Sequence, residues 1–106
     1  MVNSYLWNAS ISILEPYTLN IVDSQGGLVS TNWIMEKSDK NKRCQIKINI
    51  SSKDLISNGV KVKVLCENQE TDNWYSDQIS YKDEEKKLTL KILEIAKELK
   101  LNEELS

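Results

Sequence analysis

The sequence holds no histidine. That removes histidine-activated nucleophiles and imidazole metal ligands from consideration. There are two cysteines, Cys44 and Cys66, too few for a tetrahedral zinc site without help. One arginine, Arg43, stands against thirteen lysines. With 14 basic and 16 acidic residues the net charge is −2, so the basic excess of a nucleic-acid binder is missing. No apolar run approaches the roughly 20 residues that span a bilayer. Met1-Val2-Asn3-Ser4 leads straight into a helical pattern, without the charged and apolar regions of an export signal. Both a cytosolic chain and one trimmed of its signal fit that start.

What remains is 106 residues, 40% hydrophobic and 28% charged, the balance of a single globular domain. A chain of this length buries about 65% of its unfolded surface, enough for a core without staples.

Asn3 is placed to cap a first helix over 4–14, in which Leu6, Ala9 and Ile13 repeat at helical spacing beside Trp7, Ile11 and Leu14. Pro16 ends it. Residues 18–22 predict a short strand, and Asp23-Ser24-Gln25-Gly26-Gly27 a tight turn. Residues 28–35 predict a second strand with Val29, Thr31, Trp33 and Met35 on one face, and residues 36–42 a charged connection. The clearest pattern is a hairpin. Cys44, Ile46, Ile48 and Ile50 alternate with Gln45, Lys47 and Asn49, and Val60, Val62, Val64 and Cys66 with Lys61, Lys63 and Leu65. The loop 51–59 reads as one helical turn capped by Ser51 or Ser52, with Leu55 and Ile56 inward and a left-handed exit at Asn58-Gly59. Residues 67–73 read as a polar turn and 74–79 as a last strand. Ser80 with Asp83 resembles a capping box. Leu88, Ile92, Ile95, Ala96 and Leu99 form one stripe of a long closing helix, fraying from Asn102.

The expected fold is α+β: an antiparallel sheet of four to five strands packed against an N-terminal and a long C-terminal helix, helix-grip-like, in one domain over 1–106.

Pairing Ile50 with Val60 sets Cys44 opposite Cys66 and Lys47 opposite Lys63. The cysteines form either two buried thiols, the favoured reading, or a disulfide. Lys47, Lys61 and Lys63, with Arg43 nearby, form a patch suited to an anionic partner. The plainer reading is a solvated strand face relieved by acidic neighbours such as Glu67. Trp7, Trp33, Trp74 and Tyr75 fill the core or line a pocket between sheet and helix, and Trp74-Tyr75 is the better contact surface. Asp23 with Gly26-Gly27 leads into a strand rather than a helix, so it reads as a turn and not a phosphate cradle. Glu84-Glu85 and Glu103-Glu104 point apart on a helix and cannot share a site.

Three segments carry a family resemblance. They are Val2-Asn3-Ser4-Tyr5-Leu6-Trp7, the run from Asp23 to Trp33 with its Gly-Gly, Thr and Trp, and the run from Ile92 to Lys100. Asn58 to Val64 fits as well. In order and spacing the chain resembles an uncharacterised alphaproteobacterial domain-of-unknown-function family, DUF3576. The resemblance implies an exported, lipoprotein-type protein of the periplasm or outer membrane, with no known activity. An oxidising periplasm adds weight to the bridged cysteines. The chain departs from the family in lacking the signal region and in carrying the two cysteines.

The expected function is a non-enzymatic envelope module that binds a protein partner, with no catalytic residue, no metal, no cofactor and no nucleic acid. Membrane association would come through a signal region absent here. The alternative is a carrier of a small apolar ligand or lipid in a pocket between the sheet and the C-terminal helix.

Overall fold

In the computed structural model, which describes residues 2–106, the first helix, α1, spans Ser4–Leu14. The side-chain carbonyl of Asn3 accepts the Leu6 N–H at 3.0 Å, and the Asn3 N–H donates to the Ser52 carbonyl at 2.8 Å. The cap therefore also pins the helix to the loop after the central strand. Leu6, Ala9, Ser10 and Leu14 are its buried residues. Ser10 is tolerated inside because its hydroxyl donates to the Leu6 carbonyl at 2.8 Å.

Six strands follow: β1 (Leu19–Asp23), β2 (Leu28–Thr31), β3 (Ile34–Glu36), β4 (Asp39–Ile50), β5 (Val60–Glu70) and β6 (Asn73–Ser76). All pairings are antiparallel, in the order β1-β2-β4-β5-β6, with β3 beside β4. The fold class is the expected α+β, with six strands instead of four or five.

The β4–β5 hairpin has the register that its alternation dictates: Ile50 opposite Val60, Lys47 opposite Lys63, Cys44 opposite Cys66. Strict period-two burial in both strands leaves one register that keeps the isoleucines inside. The β1–β2 turn is fixed by the Gly26 N–H donating to the Asp23 carboxylate at 2.9 Å. Gly27 follows at φ +73°, where a Cβ would strike the Ile50 carbonyl. Only glycine suits that place.

The expected single strand over 28–35 is broken. β2 pairs Ser30 with Lys47, while β3 pairs Ile34 with Cys44, a slip of one residue at Asn32-Trp33. One extra residue exchanges the faces of everything beyond it. Val29 and Thr31 stay buried, but Ile34 now turns toward the core, and Trp33 and Met35 are exposed at 40% and 50%. Thr31 completes the interrupted ladder: its hydroxyl accepts the Ile46 N–H at 3.0 Å and its carbonyl accepts the Gln45 amide at 2.9 Å.

Other boundaries move for similar reasons. Part of the expected connection 36–42 is strand, because β3 and β4 close into a hairpin at 37–38. The loop 51–59 holds only a 3-10 turn, Ser57–Gly59. Ile56 is exposed, and Gly59 has no left-handed φ. β5 runs on to Glu70, and Thr71, at φ 57°, turns the chain into β6.

The closing helix, α2, spans Lys82–Leu105. The Ser80–Asp83 box does not form: Tyr81 is the cap residue and makes no side-chain cap bond. Asp83, Glu84 and Glu85 in the first turn suit the helix dipole. Ile92 and Ala96 are fully buried, with Leu88, Leu93 and Ile95 packed at their sides. The helix persists to Leu105, through the stretch expected to fray from Asn102, and Leu101 and Leu105 near its end are exposed. Both helices lie on one side of the sheet, packing Leu6, Leu14 and Ile92 with Val29, Ile48 and Ile50.

Candidate binding face

With both helices on one side, the other side of the sheet is open. Laterally paired residues point to the same face, so the register gives its rows. One row is Met35, Arg43, Glu67 and Ser76. A second is Gln45 and Leu65. A third is Ile21, Ser30, Lys47 and Lys63, and a fourth Asp23, Leu28, Asn49 and Lys61.

The first row carries a cluster built around Arg43. Arg43 donates from Nε and Nη2 to Oε1 of Glu67, at 2.9 and 2.6 Å. Its guanidinium lies 4.3 Å from the Trp33 ring centre and 4.2 Å from that of Trp74. Three strands and the slip at 32–33 thus converge on one side chain. β4 presents Arg43, β5 presents Glu67, β6 presents Trp74, and the slip delivers Trp33. A planar cation between two indoles is held by the electron-rich ring faces. A lysine would not offer the same plane.

The expected site residues are distributed differently. Trp74 joins the stack, but Tyr75 pairs with Asn68, so it lies on the opposite side of the sheet, 54% exposed. Neighbouring strand residues alternate faces, so these two cannot form one surface. Lys47, Lys61 and Lys63 do share the open face. Glu67 does not relieve them, because it is committed to Arg43. Trp33 was read as core or pocket lining and Glu67 as relief for the lysines; the sequence reading placed neither against Arg43. The signal for Glu67 was present, since the register that pairs the cysteines also pairs Arg43 with Glu67 one step along.

Cys44 and Cys66 are joined by a disulfide rather than remaining two thiols. The bond sits on the helix side, in the wall of a groove of about 280 Å³ with Ile34, Val64, Tyr81 and Glu84. An open extension of about 360 Å³ reaches Ile46, Leu88 and Tyr17. None of Trp7, Trp33, Trp74 or Tyr75 lines this groove.

At its mouth the Tyr81 hydroxyl donates to Asp77 at 2.6 Å, and Lys42 lies 5.2 Å over the Tyr81 ring. The Tyr81 bond, helped by the Ile79 N–H, holds the Asp77 carboxyl below its usual range. Burial, then the bond to Asp77, pushes the Tyr81 phenol up. On the adjoining part of β5, beyond the reach of β6, the Glu85 carboxylate accepts the Val64 N–H at 2.9 Å. Among the described residues no group of three His, Cys, Asp or Glu side chains is placed to hold a metal ion. Among the described residues no helix is long and apolar enough to cross a membrane.

These features define a small α+β domain whose sheet has one helix-covered face and one open face organised around a stacked arginine. The chain belongs to the DUF3576 family, a domain of unknown function, whose model matches residues 1–101. An uncharacterised protein of Rickettsia prowazekii is 34% identical over 73 residues, which cover 69% of this chain. The matched part spans 44% of that relative's length.

Proposed function

We propose that this domain is a non-enzymatic binding module of the cell envelope, and that it holds a protein partner on the open face of its sheet. The observation that carries this reading is the Trp33–Arg43–Trp74 stack with Glu67. Tryptophan and arginine are the side chains most enriched among residues that dominate interface energies. Here they are ordered before any partner arrives, so little conformational entropy remains to be lost on binding. Met35 beside Arg43 adds exposed apolar area. An envelope location is supported by the cross-strand disulfide, a bond that persists in oxidising compartments. A non-enzymatic role is supported by the way the charged groups are used: Arg43 and Glu67 are spent on each other, as are Tyr81 and Asp77.

A photo-crosslinking side chain placed at Met35 or Ser76 tests the reading in cells. A discrete adduct is expected from both positions and none from Lys100 on the far helix. Equal yields from all three, or none from the sheet positions, would overturn it.

The groove beside the disulfide favours the second reading, a carrier of a small apolar ligand, because its size approaches that of ligand pockets. Leu88→Trp would fill the groove. A carrier would then lose uptake of an apolar fluorescent probe, whereas a partner-binding module would keep its crosslink.

A further inference from the structure

The lysine end of the open face stands apart from the stack. Lys47 and Lys63 are directly opposed, with Lys61 two residues along β5. Like charges opposed across a strand pair are destabilising. The relief such a pair normally has is missing. The lateral neighbours in that row are Ser30 and Ile21, and the rows on either side bring Gln45, Leu65, Asn49 and Lys61. The carboxylates nearby are already engaged: Glu67 by Arg43, Asp23 by the Gly26 N–H of its own turn, and Glu85, which lines the same cleft as Lys63, by the Val64 N–H. None of the three lysines is in an ion pair among the described residues. The face carries four cations against two carboxylates in a chain of net charge −2, so the rest of the surface is net acidic. The molecule therefore presents this side, and not its helices, to a negative surface.

We propose that Lys47, Lys61 and Lys63 form a docking surface for an anionic lipid bilayer. The choice of a membrane over a nucleic acid follows from the chemistry around the lysines. They are interchangeable point charges rather than planar forks. The one fork on this face is occupied by Glu67, and each tryptophan has its ring covered on one side by Arg43, so the stacking platform that single strands need is compromised. The side chains flanking the lysines, Ile21 at 41% exposure and Leu65 at 37%, are apolar. Lysines interspersed with exposed aliphatics are what an interfacial site presents to headgroups and the acyl boundary. Arg43 is four residues along β4 from Lys47, roughly 13 Å at strand rise, so docking at the lysine end leaves the stack free. This surface does not depend on the partner-binding reading.

Sedimentation of the full chain with vesicles tests it. Vesicles of phosphatidylglycerol with phosphatidylcholine should bind the protein, and phosphatidylcholine alone should not. Binding should weaken as salt shortens the screening length. The triple variant Lys47→Gln, Lys61→Gln, Lys63→Gln should bind about 100-fold more weakly, from roughly fivefold per lysine over three lysines. Its thermal midpoint should equal or exceed that of the wild type, because the opposed charges are gone. Trp74→Ala should bind vesicles as the wild type does. A control with Lys86, Lys97 and Lys100 changed to Gln has the same net charge and should also retain binding. Equal loss in that control, absence of wild-type binding, or tighter binding to an oligonucleotide than to the vesicles at the same salt would each overturn the proposal.

Discussion

Arg43→Lys keeps one positive charge and removes the plane that carries it. The guanidinium lies 4.3 Å from one indole and 4.2 Å from the other. A cation–π contact contributes about 0.5–1 kcal/mol when exposed and about 2 when desolvated. Side-chain exposures of 25% for Arg43 and 24% for Glu67 place this cluster between those limits. An ammonium still attracts Glu67 but cannot lie flat between two rings, so the variant should lose about 1–2 kcal/mol. Arg43→Met also strands the carboxylate and should lose about 2–3 kcal/mol, the increment being a screened, partly exposed ion pair. Urea unfolding followed by far-UV circular dichroism measures both, with unchanged m-values showing that the unfolded states are comparable. A double-mutant cycle with Trp74→Leu should return a coupling of about 0.5–1 kcal/mol. If Arg43→Lys stayed within about 0.3 kcal/mol of the wild type with no coupling, the stack would be an incidental contact and the reasoning from it would fail.

Three further outcomes follow from the same structure. Reducing the Cys44–Cys66 bond, or replacing both residues with alanine, should lower stability by about 3 kcal/mol, the chain-entropy value for a 22-residue separation; an unfolding curve indifferent to reductant contradicts this. The buried Ser30 hydroxyl has no hydrogen-bond partner, so Ser30→Ala should leave the thermal midpoint unchanged or raise stability by up to about 1 kcal/mol, and a clear fall in the midpoint would show that the hydroxyl is bonded. Because the folded protein holds Asp77 below its usual range, its contribution is present at neutral pH and is lost as pH falls below the ordinary aspartate value of about 4 and through the lowered folded-state value. Tyr81→Phe removes the main cause, so the variant should lose less stability between neutral and acid pH than the wild type, and parallel acid titrations of stability would contradict that.

The hairpin of β4 and β5 was legible because its alternation is strict and β-branched, and only one register buries Ile46, Ile48 and Ile50. Carried one step past the cysteines, the same register pairs Arg43 with Glu67, but 67–73 was read as a polar turn and the pair was missed. Trp33 was not legible. Its face depends on one extra residue at 32–33, stabilised by the Thr31 hydroxyl and carbonyl bonding across to β4. Nothing in the local pattern of 28–35 marks that slip, since Val29, Thr31, Trp33 and Met35 alternate as an unbroken strand would. The Ser80–Asp83 box had the right spacing but formed no side-chain cap bond, because the helix begins at Lys82 with Tyr81 as its cap. A pocket between the sheet and the C-terminal helix was expected to be lined by Trp7, Trp33, Trp74 and Tyr75. The groove there, where α2 starts over the disulfide, is lined instead by aliphatic, tyrosine and charged side chains spread from Tyr17 to Leu88.

Oxidative footprinting in intact cells, compared with the purified chain, reads the open face in its working setting. Met35 and Trp33, at 50% and 40% exposure, are accessible in the isolated protein. If this side of the sheet carries the partner, both should be strongly protected in cells while Tyr75, exposed on the other side, is labelled equally in both preparations. Equal labelling of Met35 and Trp33 in cells and in solution, with protection falling on Tyr75 or the helices, would place the contact elsewhere.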